Sequence, residues 1–598
     1  MVMRGSAVRL ALGVRWLSAT FLIALLPACD AQMRFDGLDS VPADSSLVGR
    51  PMPSGGTGAG NYLAGRFAQN QNDLASASTY LQRALAVDPE NIELLQRTYL
   101  SLAADGQLKD AAAVAARLLK FDGEAAVAAL LVAEQQGKAG NWSGVEATIS
   151  SLPKRGLNTF MMPLIIGWAK AGQGNFDAAL EAFAPLAQNS GYAALHDFHA
   201  ALVDDLADRR KAAEQDYRNT LAGAGGATLR TTEAAVAFYR RIGQTDKAEE
   251  VLTRYRQNHP ESTMFGDSHI SGRAVDSAAA GMAEALFDAA GSLRQGRASE
   301  LALIFARMAI DLHPDFPLAQ VMVADLLQGL GHLRDANAIF QEISSSSPVY
   351  WSAQLRIAAN DDDLDDVDAA TRTLEALAAQ YPDRPEALVT LGDIYRRHKR
   401  WTDAVSAYDR ALGAQSSAIS QHWDIYYSRG IALERSQQWI RAESDFLHAL
   451  ELEPDEPHVL NYLGYSWIEQ GVNVEKAREM IEKAVAQLPK DGYIVDSLGW
   501  AFFRSGDYGK AVEVLDRAVE MHPEDAAIND HLGDALWKVG REEEARFQWQ
   551  RALISDPDPE LKQEIERKLT SGLQDALATP VQMPAQKQAP APKLTTKP

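Results

Sequence analysis

Small residues and prolines recur along this chain at an interval of 34 positions. Ala302, Ala336, Ala370 and Ala404 keep the interval, and Pro314, Pro348 and Pro382 keep it beside them. Farther on, Gly464, Gly499 and Gly533 are followed in turn by Ala477, Ala511 and Ala545, and Pro489, Pro523 and Pro557 close each period. The N-terminal half holds the interval with Ala77, Ala111, Val145, Ala179 and Ala213, with Ala248 one residue late, while Pro89 and Pro260 close two of its periods. One period, 492–525, reads GYIVDSLGWAFFRSGDYGKAVEVLDRAVEMHPED. Its apolar positions are spaced helically on both sides of Gly506, which predicts two helices with a turn at that glycine. Gly499, Ala511 and Ala518 let the two helices approach closely, and Leu515 fills the gap between them. Pro523 lacks an amide hydrogen and pushes its predecessor out of helical geometry, so the second helix is expected to stop there. Alternating β-branched runs are absent and Ala dominates whole stretches, so no sheet is predicted.

The set Leu498-Gly499, Gly506, Ala511, Leu515, Ala518 and Pro523 resembles the tetratricopeptide repeat (TPR) closely. The resemblance implies an all-α fold, a right-handed superhelical solenoid of antiparallel helix hairpins with about fourteen TPR units. Their expected starts lie near residues 58, 92, 126, 160, 194, 229, 283, 317, 351, 385, 423, 457, 492 and 526. Units two, three and five match the pattern least, because they lack the closing proline. Residues 263–282 break the register, which predicts an N-terminal TPR lobe over 58–262 and a C-terminal lobe over 283–559. A shorter insert, Gln415 to Gln421, separates units ten and eleven. After the last unit, 560–577 has the periodicity of a capping helix with Glu and Lys outside. The final 578–598 carries prolines and lysines without an acid, the composition of a disordered tail.

Charge and the N-terminus narrow the setting. A net charge of −22 would repel a phosphate backbone, so nucleic acid is not an expected partner. Cys29 is the only cysteine, which leaves the body without intrachain disulfides or thiolate zinc clusters. Residues 1–28 have the plan of a signal peptide: Arg4, Arg9 and Arg15 precede the apolar run Leu17 to Leu26. That run is too short to span a bilayer, which takes roughly 20 residues in a helix. Leu26-Pro27-Ala28-Cys29 resembles the lipobox of bacterial lipoproteins, departing from the commoner pattern at Pro27. The resemblance implies lipidation of Cys29 and a membrane-anchored protein facing the periplasm, with several acyl chains giving lasting attachment. A plain secretory signal cut near Ala31, or a cytoplasmic protein with an apolar start, is the alternative. Asp30 resembles an inner-membrane retention signal, and the choice between inner and outer membrane stays open. Residues 29–57, rich in Gly, Pro and Ser, look like a flexible spacer, and their glycines lack the Lys-Ser/Thr ending of a phosphate loop.

No catalytic arrangement emerges. Zinc-helix, nucleophile-elbow and Walker motifs are absent from the sequence, so no enzyme activity, cofactor or small-molecule substrate is expected. His196 and His199 share a helical face but have no third metal ligand, and ordinary helix surface is the plainer reading. Asp361, Asp363 and Asp365 alternate like the start of a calcium loop, but no glycine follows at the sixth place and Arg372 stands where the bidentate Glu belongs.

By resemblance to the family, the first helix of each hairpin lines a concave groove that takes proteins or extended peptides. The implied groove residues are Tyr427, Arg435, His458, Asn461, Tyr465, Tyr493, Asp496, Trp500, Phe503, Arg504, Asp530, Asp534, Trp537 and Lys538. Trp, Tyr and Arg bury large areas with few torsions, which suits a binding surface, although Trp500, Phe503 and Trp537 could equally pack between neighbouring hairpins. The expected function is a membrane-tethered periplasmic scaffold for protein–protein interactions in cell-envelope assembly or export. The alternative is an accessory or regulatory subunit of an envelope enzyme, such as a peptidoglycan hydrolase or polysaccharide synthase.

Overall fold

A left-handed residue turns the chain inside each repeat. The computed structural model describes residues 56–189, 191–223, 227–259, 272–414 and 422–573. The signal peptide, Cys29, all but the end of the spacer, the insert Gln415 to Gln421 and the C-terminal tail lie outside them. Among the described residues there are 29 α-helices and no strand.

The first six hairpins are α1 Gly58–Asn70 with α2 Leu74–Val87, α3 Ile92–Asp105 with α4 Leu108–Leu118, α5 Ala126–Lys138 with α6 Trp142–Ser150, α7 Asn158–Gly172 with α8 Phe176–Ala187, α9 Ala193–Leu206 with α10 Arg210–Ala222, and α11 Leu229–Arg241 with α12 Thr245–Asn258. Next come α13 Ala278–Gln295 with α14 Ser299–Leu312 and α15 Pro317–Gly329 with α16 Leu333–Gln341, after which α17 Tyr350–Asp363 and α18 Val367–Gln380 follow one another in the chain. The last five are α19 Glu386–Arg397 with α20 Trp401–Gly413, α21 Trp423–Arg435 with α22 Trp439–Leu452, α23 Pro457–Gln470 with α24 Val474–Gln487, α25 Gly492–Arg504 with α26 Tyr508–Met521, and α27 Ala526–Lys538 with α28 Glu542–Ile554. Helix α29, Pro559–Ser571, follows them. Thirteen of the fourteen first helices begin within two residues of the starts expected from the repeat, and α13 begins five residues early.

Every one of these turns contains a residue with positive φ. Gly106, Gly140, Gly174, Gly243, Gly331, Gly471, Gly506 and Gly540 fill eight of them, and Asn72, Asp208, Arg297, Asp365, Lys399 and Gln437 fill the other six. The left-handed residue lets the next amide reach back to close the first helix, as Asp507 N–H does to the Phe502 carbonyl at 3.0 Å. The second helix is then capped from the same turn, as when the Asp507 carboxylate accepts from Lys510 N–H at 3.3 Å. The acidic run at Asp361–Asp366 ends α17 and enters the turn that follows, where Asp365 has φ +62 and Asp366 caps α18.

Close helix crossing has a repeated device of its own. A β-carbon on Gly499 would lie 2.5 Å from Leu515, and one on Gly167, Gly392, Gly430 or Gly533 would strike Phe183, Tyr408, Phe446 or Trp549. The glycine leaves a notch, and a large side chain on the second helix fills it.

The chain divides into two compact units between Asp365 and Asp366. Two lobes separated at 263–282 were expected, yet that break falls inside the first unit. The cause is a fold-back: α13 packs against α5, α7 and α9, and α14 against α3, α4 and α5. Gly281 of α13 lies flat on the Trp168 indole, where a β-carbon would come within 2.2 Å of the ring. Polar contacts fasten the seam. His199, fully buried and thus a core residue rather than helix surface, accepts from Trp168 Nε1–H at 3.0 Å and donates to Asp288 at 3.1 Å. Arg230 of α11 holds Glu284 and the Ala274 carbonyl, and Lys138 meets Asp311 at 2.7 Å. Near the other end of the fold-back, the His332 imidazole bonds the Asn72 carbonyl. The faces of α3 to α9 that would line an open groove are therefore filled by the chain itself.

Candidate functional site on the inner face of the C-terminal hairpins

Within the second unit, the first helix α19 packs beside α21, α23 beside α25 and α25 beside α27, while Tyr427 of α21 meets Tyr462 of α23. Residues around each notch glycine face the neighbouring repeat, and their polar groups stitch one hairpin to the next. Asp496 and Asp530 lie three residues before Gly499 and Gly533, and Trp500 and Asp534 lie one after.

Around Trp500 these positions converge. Its indole stacks on Phe503 at 4.7 Å and on His531 of the next hairpin at 4.2 Å, making a column of three rings. Indole Nε1–H donates to Glu469 of the preceding hairpin at 2.5 Å, and Arg504 donates to the same carboxylate at 2.9 Å. Trp500 and Phe503 are half-buried, whereas Arg504 is exposed. Behind the column, His531 Nδ1–H donates to both Asp496 oxygens at 3.0 Å. Burial disfavours a charged imidazole, but the Asp496 carboxylate, helped by Asp530 and Asp534, outweighs it and pushes His531 up to about 9.

At the C-terminal end of the face, Lys568 of α29 reaches in. Its ammonium donates to Asp530 at 2.7 Å and to Asp534 at 2.8 Å, and Trp549 Nε1–H donates to the other Asp534 oxygen at 3.0 Å. Burial raises Asp534 to about 7 against the pull of Lys568, and the two aspartates hold Lys568 well above the ordinary lysine range.

The fourteen expected groove residues thus separate into groups. Trp500, Phe503 and Arg504 form the accessible surface just described. Asp496, Asp530 and Asp534 are only 6, 4 and 4 % exposed and are spent on His531 and Lys568, so they are interior stitches and not groove contacts. Tyr465, 3 % exposed, is buried as well. Half-buried Tyr427 packs edge-on against Tyr462 at 5.9 Å, and Arg435 pairs with Glu434 at 3.4 Å. His458 bonds Glu456 at 2.7 Å at the start of α23, and the Asn461 Oδ1 atom has no partner. Tyr493 turns to the repeat edge, stacked on His522 in a shallow cleft with Leu488 and Pro489. Trp537 lies against Trp549 and Gly572, and Lys538 lies over the Tyr508 ring.

Sequence reasoning missed Glu469, His531 and Lys568. The last was legible: Lys568 stands 34 residues after Asp534, so continuing the repeat into α29 places it on the inner face. Glu469 stands 34 residues after Arg435, at a marked position that was passed over, whereas His531 lies off the positions that the family resemblance marks. Among the described residues no cluster of three or more His, Cys, Asp or Glu could hold a metal, and no helix is long and apolar enough to cross a membrane.

Comparison with known proteins agrees with this repeat architecture. Sequence models of the tetratricopeptide repeat match residues 59–91, 233–262, 361–419 and 497–560. The TPR repeat-containing protein PA4667 of Pseudomonas aeruginosa is 27% identical over 145 residues, which is 23% of this chain and 23% of that protein. The chain therefore matches less than a quarter of that relative's length. Among solved structures, the APC/C hetero-tetramer Cut9-Hcn1 aligns at 14% identity with a TM-score of 0.35, covering 87% of this chain and 97% of that one. Yeast Tom70 aligns at 11% identity with a TM-score of 0.28, covering 86% and 95%. Thirteen hairpins hold together by contact and repeat models match at both ends and between, so the chain carries tetratricopeptide repeats.

Proposed function

We propose that this chain is a scaffold for protein–protein interactions and that its partner surface is the inner face of α23 and α25, centred on Trp500, Phe503 and Arg504. One observation carries the reading: an accessible ring column beside an exposed arginine lies on this inner face, whereas the corresponding face of α3 to α9 is occupied by α13 and α14. Stacked rings present area without further loss of torsional freedom, and an arginine at their rim offers directed donors to a carboxylate or carbonyl. The fitting partner is a segment with an apolar or aromatic anchor next to an acidic group.

The address belongs to the same proposal: a lipid-tethered scaffold facing the periplasm, gathering proteins of cell-envelope assembly or export. Support for it comes from the lipobox-like Leu26-Pro27-Ala28-Cys29 behind a charged and then apolar N-terminus.

Phe503→Ala is the informative substitution, because Trp500 and Arg504 also hold Glu469 and removing them would leave that carboxylate unpaired. Crosslinking pull-down from intact cells should lose its main partner with Phe503→Ala while helicity stays at the wild-type value and melting remains cooperative. Undiminished capture would place the partner surface elsewhere.

A further inference from the structure

Helix α29 meets the last hairpin along one narrow stripe. Leu561, Ile565 and Lys568, spaced i, i+4 and i+7, are its buried residues, while its outward side is exposed. This differs from α13, in which every residue from Ala280 to Leu286 is buried. The connection to α28 contains Asp556 with φ +54 and Pro557, and α29 itself starts at Pro559, so the helix begins at a defined corner. At its far end the Lys568 ammonium bridges Asp530 and Asp534, Arg546 bonds the Leu569 carbonyl, and Gly572 lies on Trp537. A buried ion cluster of this kind adds little net stability, since desolvation offsets the attraction, but it is selective for what enters. The lysine also leaves something unused: the Oδ1 atom of Asp530, buried with its residue, has no hydrogen-bond partner. An ammonium offers three donors from one point, whereas a guanidinium offers five spread over a planar fork.

We propose that the α27–α28 face is a receptor for a cationic amphipathic helix with the pattern apolar-x3-apolar-x2-Arg, supplied by a partner protein, and that α29 is its occupant within the chain. It rests on the reading of this inner face as a protein-binding surface and supplies a partner chemistry for its C-terminal end. An arginine in place of the lysine reaches Asp530 Oδ1 as well as the two bridged oxygens, so an incoming helix of this kind binds the face more tightly than a free copy of α29 once α29 itself is loosened.

The test uses the full chain and a fluorescent peptide copying residues 558–573 with Lys568→Arg, followed by anisotropy. Ile565→Ser loosens α29 without unpairing the aspartates, and that chain should bind the peptide roughly tenfold more tightly than wild type, because the competing helix is weakened. The unaltered 558–573 peptide should bind less tightly than its Lys568→Arg form, and Asp530→Asn with Asp534→Asn in the Ile565→Ser chain should abolish binding. If Ile565→Ser lowers helicity, Lys568→Gln takes its place. Absence of binding to a folded loosened chain, or binding that survives the two Asn substitutions, overturns the proposal. Phe503→Ala should leave this peptide's binding unchanged, so failure here and failure of the Trp500 surface are separately visible.

Discussion

Gln437 shows how much one residue's backbone can carry. It holds φ +64 at the turn between α21 and α22, where other hairpins place glycine, and its side chain is exposed. A left-handed conformation costs a β-carbon-bearing residue about 1–2 kcal/mol, of which glycine's greater unfolded-state entropy returns part. Gln437→Gly should therefore stabilise the protein by roughly 0.5–1 kcal/mol, and a chemical-denaturation midpoint unchanged or lowered would count against the turn geometry. His531 belongs to the same scale. Its folded-state pKa of about 9 lies above the ordinary value of 6.5, so folding binds the proton more tightly. The stabilisation it brings is complete below pH 6.5 and is lost as pH rises through 9. Asp534, raised to about 7, also makes stability fall with rising pH, but mainly below that point. His531→Gln should flatten the decline in denaturation midpoint between pH 6.5 and 9, and an unaltered slope would remove His531 as its source. Why the sequence did not disclose these residues is plain: a left-handed Gln or a stacked histidine has no local signature, and each conformation is imposed by helices already in place.

Elements repeat the lesson one level up. Each hairpin was legible because proline, small residues and helical spacing act within 34 positions, and even the weakly matching units two, three and five form pairs, α3–α4, α5–α6 and α9–α10. What each notch would hold was less legible, since Leu, Tyr, Phe and Trp all fill one. The course of α13 was not legible at all. Its sequence is another amphipathic first helix, and only the apolar faces of α5, α7 and α9 decide that it turns back onto them. Gly281→Leu would drive a side chain into Trp168 and should cost about 1–3 kcal/mol by overpacking. Amide exchange in α7, α9 and α13 should rise with it, and unchanged protection there would mean that the fold-back does not depend on this contact.

At the scale of the whole molecule, the tether and the repeat body are separate matters. Labelling cells with a palmitate analogue should mark the wild-type chain and leave Cys29→Ser unlabelled and released from the membrane fraction. Equal labelling of the two would defeat the lipid anchor. For the body, the sequence by itself determined that the chain is helical, that its helices pair, and where nearly every pair begins, because those properties follow from residue spacing along one strand of chain. Only the tertiary structure decided which inner faces stay accessible. Filling one face with α13 and α14, and closing the end of another with Lys568, depends on contacts between residues far apart in the chain. A charged or aromatic residue at an inner-face position has the same sequence spacing whether it meets water, a partner or another helix of its own chain, so burial alone separates Arg504, which is open, from Asp530, which is not.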